Sequence, residues 1–265
     1  MFHKKEKEMY EKIPSLLGNG SDYHVYDMTL AHKFTAFAVG ALIGGVISYV
    51  FFRGIAVTII VAVLAGIYAQ EPYRSYRLEK RKKNLLLQFR DLMEALTSSY
   101  AVGKNTLDAF TDALTDMEQI YGEQSDIYQE LFLIIKGMQN NLNIEELLAN
   151  FAKRSGLDDI VSFADVFRVA LRQGANINSI IGSTRDIIID KMEIEMEIDT
   201  MLSGNKNELN IMMIMPLIVL LCMGGLGSDM TAVSNSIVNV IIKIVALGLF
   251  FLAYKLGKKF TTITI

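Results

Sequence analysis

The chain has 265 residues, of which 51% are hydrophobic and 21% charged, with a formal net charge of −3 and one cysteine. The charge balance excludes an overall basic nucleic-acid binder, and a lone Cys222 excludes an intrachain disulfide framework and the usual thiolate metal sites. The apolar excess is gathered into a few stretches, and only three prolines interrupt the chain, which suits a mostly helical protein.

Residues 1–33 are polar and mixed in charge, contain His3, His24 and His32, and carry no cleavable signal pattern. Phe34–Phe52 is an uncharged apolar run; Arg53 and Gly54 interrupt it, and Ile55–Ala69 follows. Each run is short for a hydrocarbon core of about 30 Å, so flanking residues must extend both. A buried hairpin of a soluble protein would show the same local pattern. Two more such runs, Leu209–Gly227 and Ile237–Leu256, favour four membrane spans. Lys and Arg collect after the second run, at Arg74, Arg77, Lys80, Arg81, Lys82 and Lys83, and after the fourth, at Lys255, Lys258 and Lys259. The other two connections offer only Arg53 and Asp229 as charges. This asymmetry predicts a cytoplasmic N-terminus, centre and C-terminus. Beside a span, the basic cluster suits lipid headgroups better than nucleic acid. Lys243, inside the fourth run, reads either as a transport-path charge or as a side chain snorkelling outward near Asp229. Pro216 predicts a kink in the third span.

Residues 84–208 repeat apolar positions at helical spacing. Leu85, Leu86, Phe89, Leu92, Met93 and Leu96 define a first helix to about Tyr100, stopped at Gly103. Leu107, Phe110, Ala113, Leu114 and Met117 mark a second, and Ile127, Leu131, Ile134, Ile135 and Met138 a third. Asn143 reads as an N-cap with Glu145 and Glu146 in the first turn of a fourth helix, which buries Ile144, Leu147, Leu148 and Phe151 and ends at Gly156. Ile160, Phe163, Ala164, Phe167 and Leu171 form a fifth before Gly174, and a sixth begins near Asn176 and runs toward the third span. Three helix starts echo one another, at Gly103–Asn105, Asn141–Asn143 and Gly174–Asn176, the mark of stacked helical hairpins. Met192–Asp199 alternates apolar and acidic residues like a strand. No partner strand is in sight, and Glu and Met are good helix formers, so helix is expected.

From Asp91 to Glu208 there are 21 acids and 9 bases, a net charge of −12. Such a surface is either a solvated face or, tethered beside a basic collar, a docking face for a basic partner. No Gly-x-x-x-x-Gly-Lys-Ser/Thr loop and no His-Glu-x-x-His occur, and histidines confined to the first 32 residues supply no Ser/His/Asp set. Adjacent carboxylates at Asp158–Asp159 and Glu145–Glu146 diverge by about 100° on a helix and make poor dyads. No catalytic, cofactor-binding or metal-ligating residue is therefore assigned, and an enzyme is not expected.

The order of two spans, a basic collar, an acidic helical domain and two more spans resembles a known family. Gln88-Phe-Arg-Asp-Leu-Met-Glu-Ala-Leu96, the loop at Val102-Gly103, Leu107-Asp-Ala-Phe110 and Gly174-Ala-Asn-Ile-Asn-Ser-Ile-Ile181 follow one another in its manner. The chain is similar to the F-domain proteins of type II secretion and type IV pilus systems, in the TadB/TadC branch of Flp pilus assembly. The resemblance covers about residues 35–256, and order and spacing carry it, since each motif is loose. It implies an all-α, multi-pass protein of the cytoplasmic (inner) membrane, with four transmembrane helices and a central cytoplasmic six-helix bundle. The expected organisation is 1–33 cytoplasmic segment, 34–70 transmembrane hairpin, 71–83 collar, 84–208 bundle, 209–256 transmembrane hairpin and 257–265 cytoplasmic tail.

The resemblance further implies a platform that couples a hexameric secretion ATPase to pilin-like subunits, in an oligomer with itself or a paralogous platform protein. Neither a cofactor nor nucleic acid enters. Gly103, Asn105, Asn143, Gly174 and Asn176 become hairpin-turn positions, and the basic collar contacts membrane lipid. The helix before the third span is basic in the family, whereas here Asp186, Asp190, Glu193, Glu195, Glu197 and Asp199 surround Lys191. That makes it a candidate partner-facing acidic helix. A small transporter or channel using Lys243, or a membrane-anchored receptor, are the other readings, though four spans with one intramembrane charge and very short outer connections suit them less.

Overall fold

The computed structural model describes residues 13–18, 20–25, 28–52, 54–173 and 177–225, with positions 245, 246, 248, 249, 252, 253 and 255–257. Among the described residues the chain is all-α and contains no strand. Gly174, Asn176, Asp229 and Lys243, and most of the fourth apolar run, lie outside them. The elements are α1 (Leu30–Phe52), α2 (Ile55–Tyr68), α3 (Gln70–Ala101), α4 (Thr106–Tyr121), α5 (Asp126–Gln139), α6 (Ile144–Ser155), α7 (Asp158–Gln173) and α8 (Ile177–Gly225). By contact they fall into two compact units, Met1–Asp27 with Ser75–Glu193 and Met28–Arg74 with Ile194–Ile265.

In the second unit, α1 and α2 pair as an antiparallel hairpin. Ala36, Gly40, Gly44 and Ser48 recur every fourth residue, so they line one edge of α1. A Cβ at Gly40 would meet the Ala65 carbonyl oxygen at 2.9 Å and Gly66 Cα at 3.2 Å, and one at Gly66 would meet the Phe37 ring at 2.7 Å. The two backbones therefore touch directly, as small residues permit. Two helical runs are long and apolar enough to cross a membrane, Leu30–Phe51 and the near-continuous Ile55–Ala101. Only 17% and 6% of their apolar windows are buried, the reverse of a soluble core helix. Further along, α8 is apolar from Leu209 onward, with Ile211, Met212, Met215, Ile218 and Val219 exposed around it. Pro216 sits inside this helix, where it removes one ladder hydrogen bond.

The first unit is built on the expected apolar faces. Leu85, Phe89, Leu92, Met93 and Leu96 of α3 are buried with Phe110 and Met117 of α4, Ile127 and Leu131 of α5, Leu148 and Phe151 of α6, and Phe163 and Phe167 of α7. Aromatic rings knit four of the helices together. Phe89 meets Phe163 edge-on at 5.4 Å and Phe151 at 6.4 Å, Phe163 meets Phe167 at 5.4 Å, and Phe167 meets Phe110 at 6.5 Å. Edge and tilted geometries are those aromatic quadrupoles favour. The centre encloses an apolar void of about 10 Å³, no larger than one water requires. Gly137 lets α5 approach α6, because a Cβ there would lie 2.5 Å from Leu147 Cδ2.

The helices bear on three expectations about local structure. The segment Met192–Asp199 is helical despite its strand-like alternation. The sixth helix does run unbroken into the third apolar run. The collar, expected as a separate stretch ahead of the bundle, is instead the first part of α3, which starts at Gln70 with Pro72 in its first turn. A proline there lacks an N–H the helix start does not need.

Candidate functional site

The hairpin turns come first, since the residues singled out lie on them. Gly103 takes φ +79° between α3 and α4, a conformation glycine adopts without a Cβ penalty. Asn105 caps α4, its Oδ1 accepting from the Asp108 amide at 2.9 Å. Asn143 occupies the equivalent position before α6, yet its side chain makes no cap hydrogen bond. The preceding turn is closed by the Leu142 amide donating to the Gly137 carbonyl at 3.0 Å, with Asn141 left-handed at φ 61°. The echo between the two turns is thus one of backbone shape, not of side-chain capping.

The acidic surface is partly consumed within the unit. Asp126 takes a two-pronged hydrogen bond from Arg81 at 2.5 and 3.0 Å, Glu145 pairs with Arg172 at 2.8 Å, and Lys104 pairs with Asp112. On α8 the six acids divide. At 100° per residue, Asp186, Asp190, Glu193 and Glu197 fall within about 60° of one another. Positions 195 and 199 lie on the opposite face, in line with buried Ile181 and Ile188 and part-buried Met192. The acidic helix expected to present one partner face therefore presents four of its six acids together. Nor is Lys191 the one base beside them, since it pairs with Asp159 of α7 at 2.8 Å and Arg185 pairs with Asp186 at 2.8 Å. Where the apolar stripe of 181, 188 and 192 passes to acids at 195 and 199, the helix has nothing left to bury against the bundle. The unit ends there, at Glu193.

The basic collar also divides. Lys80 and Lys83 are exposed on α3. Arg81 is turned onto the bundle, pairing with Asp126 and lying 4.6 Å over the Tyr23 ring, a cation–π contact. Lys82 donates to the Gly156 carbonyl at 3.3 Å, and burial holds its ammonium below the usual lysine range, against the opposing pull of Asp22 and Asp158. Arg81 and Lys82 are thus committed to protein contacts.

Those contacts lead to a cluster that sequence reasoning missed. Glu130 of α5 and Arg154 of α6 are buried, at 1% and 3% side-chain exposure, and form a forked ion pair with distances of 2.5 and 2.7 Å. Arg154 also donates to Asn150 Oδ1 at 2.8 Å and to the Ser21 carbonyl at 2.8 Å. The Tyr23 hydroxyl donates to Glu130 Oε1 at 3.1 Å, and the Tyr23 amide to the Arg154 carbonyl at 2.9 Å. Tyr23 is fully buried, and burial together with the Glu130 charge drives its hydroxyl far above the usual tyrosine range. Asp22 closes the segment on itself, accepting from the amides of Ile13 and His24 at 3.2 and 2.9 Å. Burial opposes that charge, but these hydrogen bonds outweigh it and hold Asp22 below the usual carboxylate range. A signal was present in the sequence: Glu130 and Arg154 stand three residues after Ile127 and Phe151, on core faces where a charge needs a partner.

Among the described residues, no group of three His, Cys, Asp or Glu side chains is placed to hold a metal ion. The chain matches no family model, no curated protein and no solved structure.

Proposed function

We propose that the chain is a non-catalytic, multi-pass platform protein of the inner membrane, belonging to a Flp/type IV pilus or type II secretion machine. In this reading it has four spans, and its bundle lies in the cytoplasm, where it meets a hexameric secretion ATPase. Motion driven by the motor passes to pilin-like subunits leaving the bilayer, through an oligomer with itself or with a paralogous platform protein.

The observation that carries the reading is helix continuity. α3 runs directly on from the apolar hairpin into the bundle, and α8 runs from the bundle into the apolar stretch at Leu209. Helices without a break transmit a displacement that a flexible linker would absorb. The exposed Lys80 and Lys83 suit anionic headgroups, and the net −12 of residues 91–208 suits a basic partner and repels a lipid surface.

The test is in-cell crosslinking from the bundle, in cells carrying the neighbouring gene cluster. Recovery of a P-loop ATPase and pilin-like subunits is the expected result. Thiol labelling that placed residues 84–208 outside the cell would overturn the reading, since no cytoplasmic ATPase could then reach them. Solute flux in liposomes holding the chain alone would favour a transporter.

A further inference from the structure

We propose that the described residues 13–18 and 20–24 form a releasable strap, which closes over the Glu130–Arg154 ion pair and opens without unfolding the bundle. The inference does not depend on the proposed function. It starts from what the strap covers. Most lids hide apolar surface, and their opening exposes surface that water disfavours. Here the surface under the strap includes an arginine–carboxylate fork, with a second fork, Arg81–Asp126, beside it. When the strap leaves, the Arg154 Nη1 that held the Ser21 carbonyl and the Glu130 oxygen that held the Tyr23 hydroxyl can both turn to water. The ion pair itself stays intact. Opening therefore leaves no orphaned charge, although it withdraws the Tyr23 ring from the apolar cluster.

The attachment is correspondingly slight. Among the described residues of the strap, Tyr23 alone is fully buried, while Leu16 is half exposed. The bonds that cross to the bundle include Tyr23 hydroxyl to Glu130, Tyr23 amide to the Arg154 carbonyl, Arg154 to the Ser21 carbonyl, and Asn150 to the Pro14 carbonyl at 3.0 Å, with Arg81 over the Tyr23 ring. Set against these is the ordering of about a dozen residues, the largest cost in any such closure. Segments held by one anchor and a few polar bonds open at far lower cost than the core around them.

Hydrogen exchange of the full chain in detergent or nanodiscs, read by mass spectrometry, tests this. The Tyr23 amide and its neighbours should exchange by a local opening, well ahead of peptides spanning Leu131–Ile135 and Phe163–Phe167. Tyr23→Phe removes the bond to Glu130 while keeping the ring, and should speed strap exchange about tenfold with bundle peptides unchanged. Arg81→Ala, which removes the cation over the ring, should act in the same direction. The proposal is overturned if strap and bundle peptides exchange together at one rate, or if Tyr23→Phe accelerates both equally. Either result makes residues 13–24 a permanent part of the bundle.

Discussion

Replacing Glu130 by alanine removes the carboxylate that neutralises a guanidinium with 3% side-chain exposure. Arg154 would keep its bonds to Asn150 and the Ser21 carbonyl, but two of its charge-assisted bonds, at 2.5 and 2.7 Å, would be lost. Breaking a buried pair from one side costs about 3–5 kcal/mol, because the surviving charge remains desolvated. In native-state exchange, amides in α5 and α6 that open only with the bundle should therefore exchange about two to three and a half orders of magnitude faster. Arg154→Leu, stranding Glu130 with only the Tyr23 hydroxyl, should cost a similar amount. Glu130→Leu combined with Arg154→Leu leaves no charge to desolvate and should lie within about 2 kcal/mol of the native chain. The decisive quantity is this non-additivity. Single variants costing under about 1 kcal/mol, or a double variant equal to the sum, would show that water already reaches the pair and that the burial argument fails.

The two cap asparagines should separate in the same exchange measurement: Asn105→Ala loses a real cap bond and costs about 0.5–2 kcal/mol, whereas Asn143→Ala, with none to lose, should be close to neutral. Gly103→Ala meets no atom within 4 Å and should cost only the left-handed backbone penalty of about 1–2 kcal/mol. Gly156→Ala carries that strain at φ +59° and also displaces the His24 ring and Lys82 Nζ, so it should be the more damaging, with strap amides loosened as well. The Tyr121 hydroxyl, partly buried and hydrogen-bonded to Asp91, is pushed up to about 12. Since its folded value lies above the unfolded one of about 10, its contribution is intact below pH 10 and is lost as pH rises through 12. Absorbance titration should show this late ionisation, and Asp91→Asn should bring it back toward the ordinary range.

How much of this was legible depended on whether a residue's partner lay nearby in sequence. Phe89, Phe110, Phe151, Phe163 and Phe167 could be assigned to core faces because helical period alone orients them. Asn105 could be read as a cap because its acceptor and the Asp108 amide are three residues apart. The helix through Met192–Asp199 was recoverable because a lone strand would have left its backbone unpaired. The strap was not legible. Tyr23 is one aromatic among polar neighbours, and its partner Glu130 stands 107 residues away. Arg81 and Lys82 were assigned to lipid with the rest of the collar, since adjacency to a span is visible in a sequence while the fold that turns these two cations onto the bundle is not. The division of the acids on α8 could have been read from helical angles alone, by counting turns from Ile181 and Ile188.

The glycine–alanine edge of the first hairpin has a lasting consequence for how that hairpin tolerates change. In hydrocarbon, side-chain burial supplies no driving force between any two helices, and close backbone contact does the holding. A single methyl at Gly40 or Gly66 would act as a wedge between two rods. Leu42, Ile43, Ile59 and Leu64, all exposed on the outer faces, could trade places among apolar types with little effect. Tolerance in this hairpin is therefore set inversely to bulk: the smallest residues are the ones that cannot be exchanged.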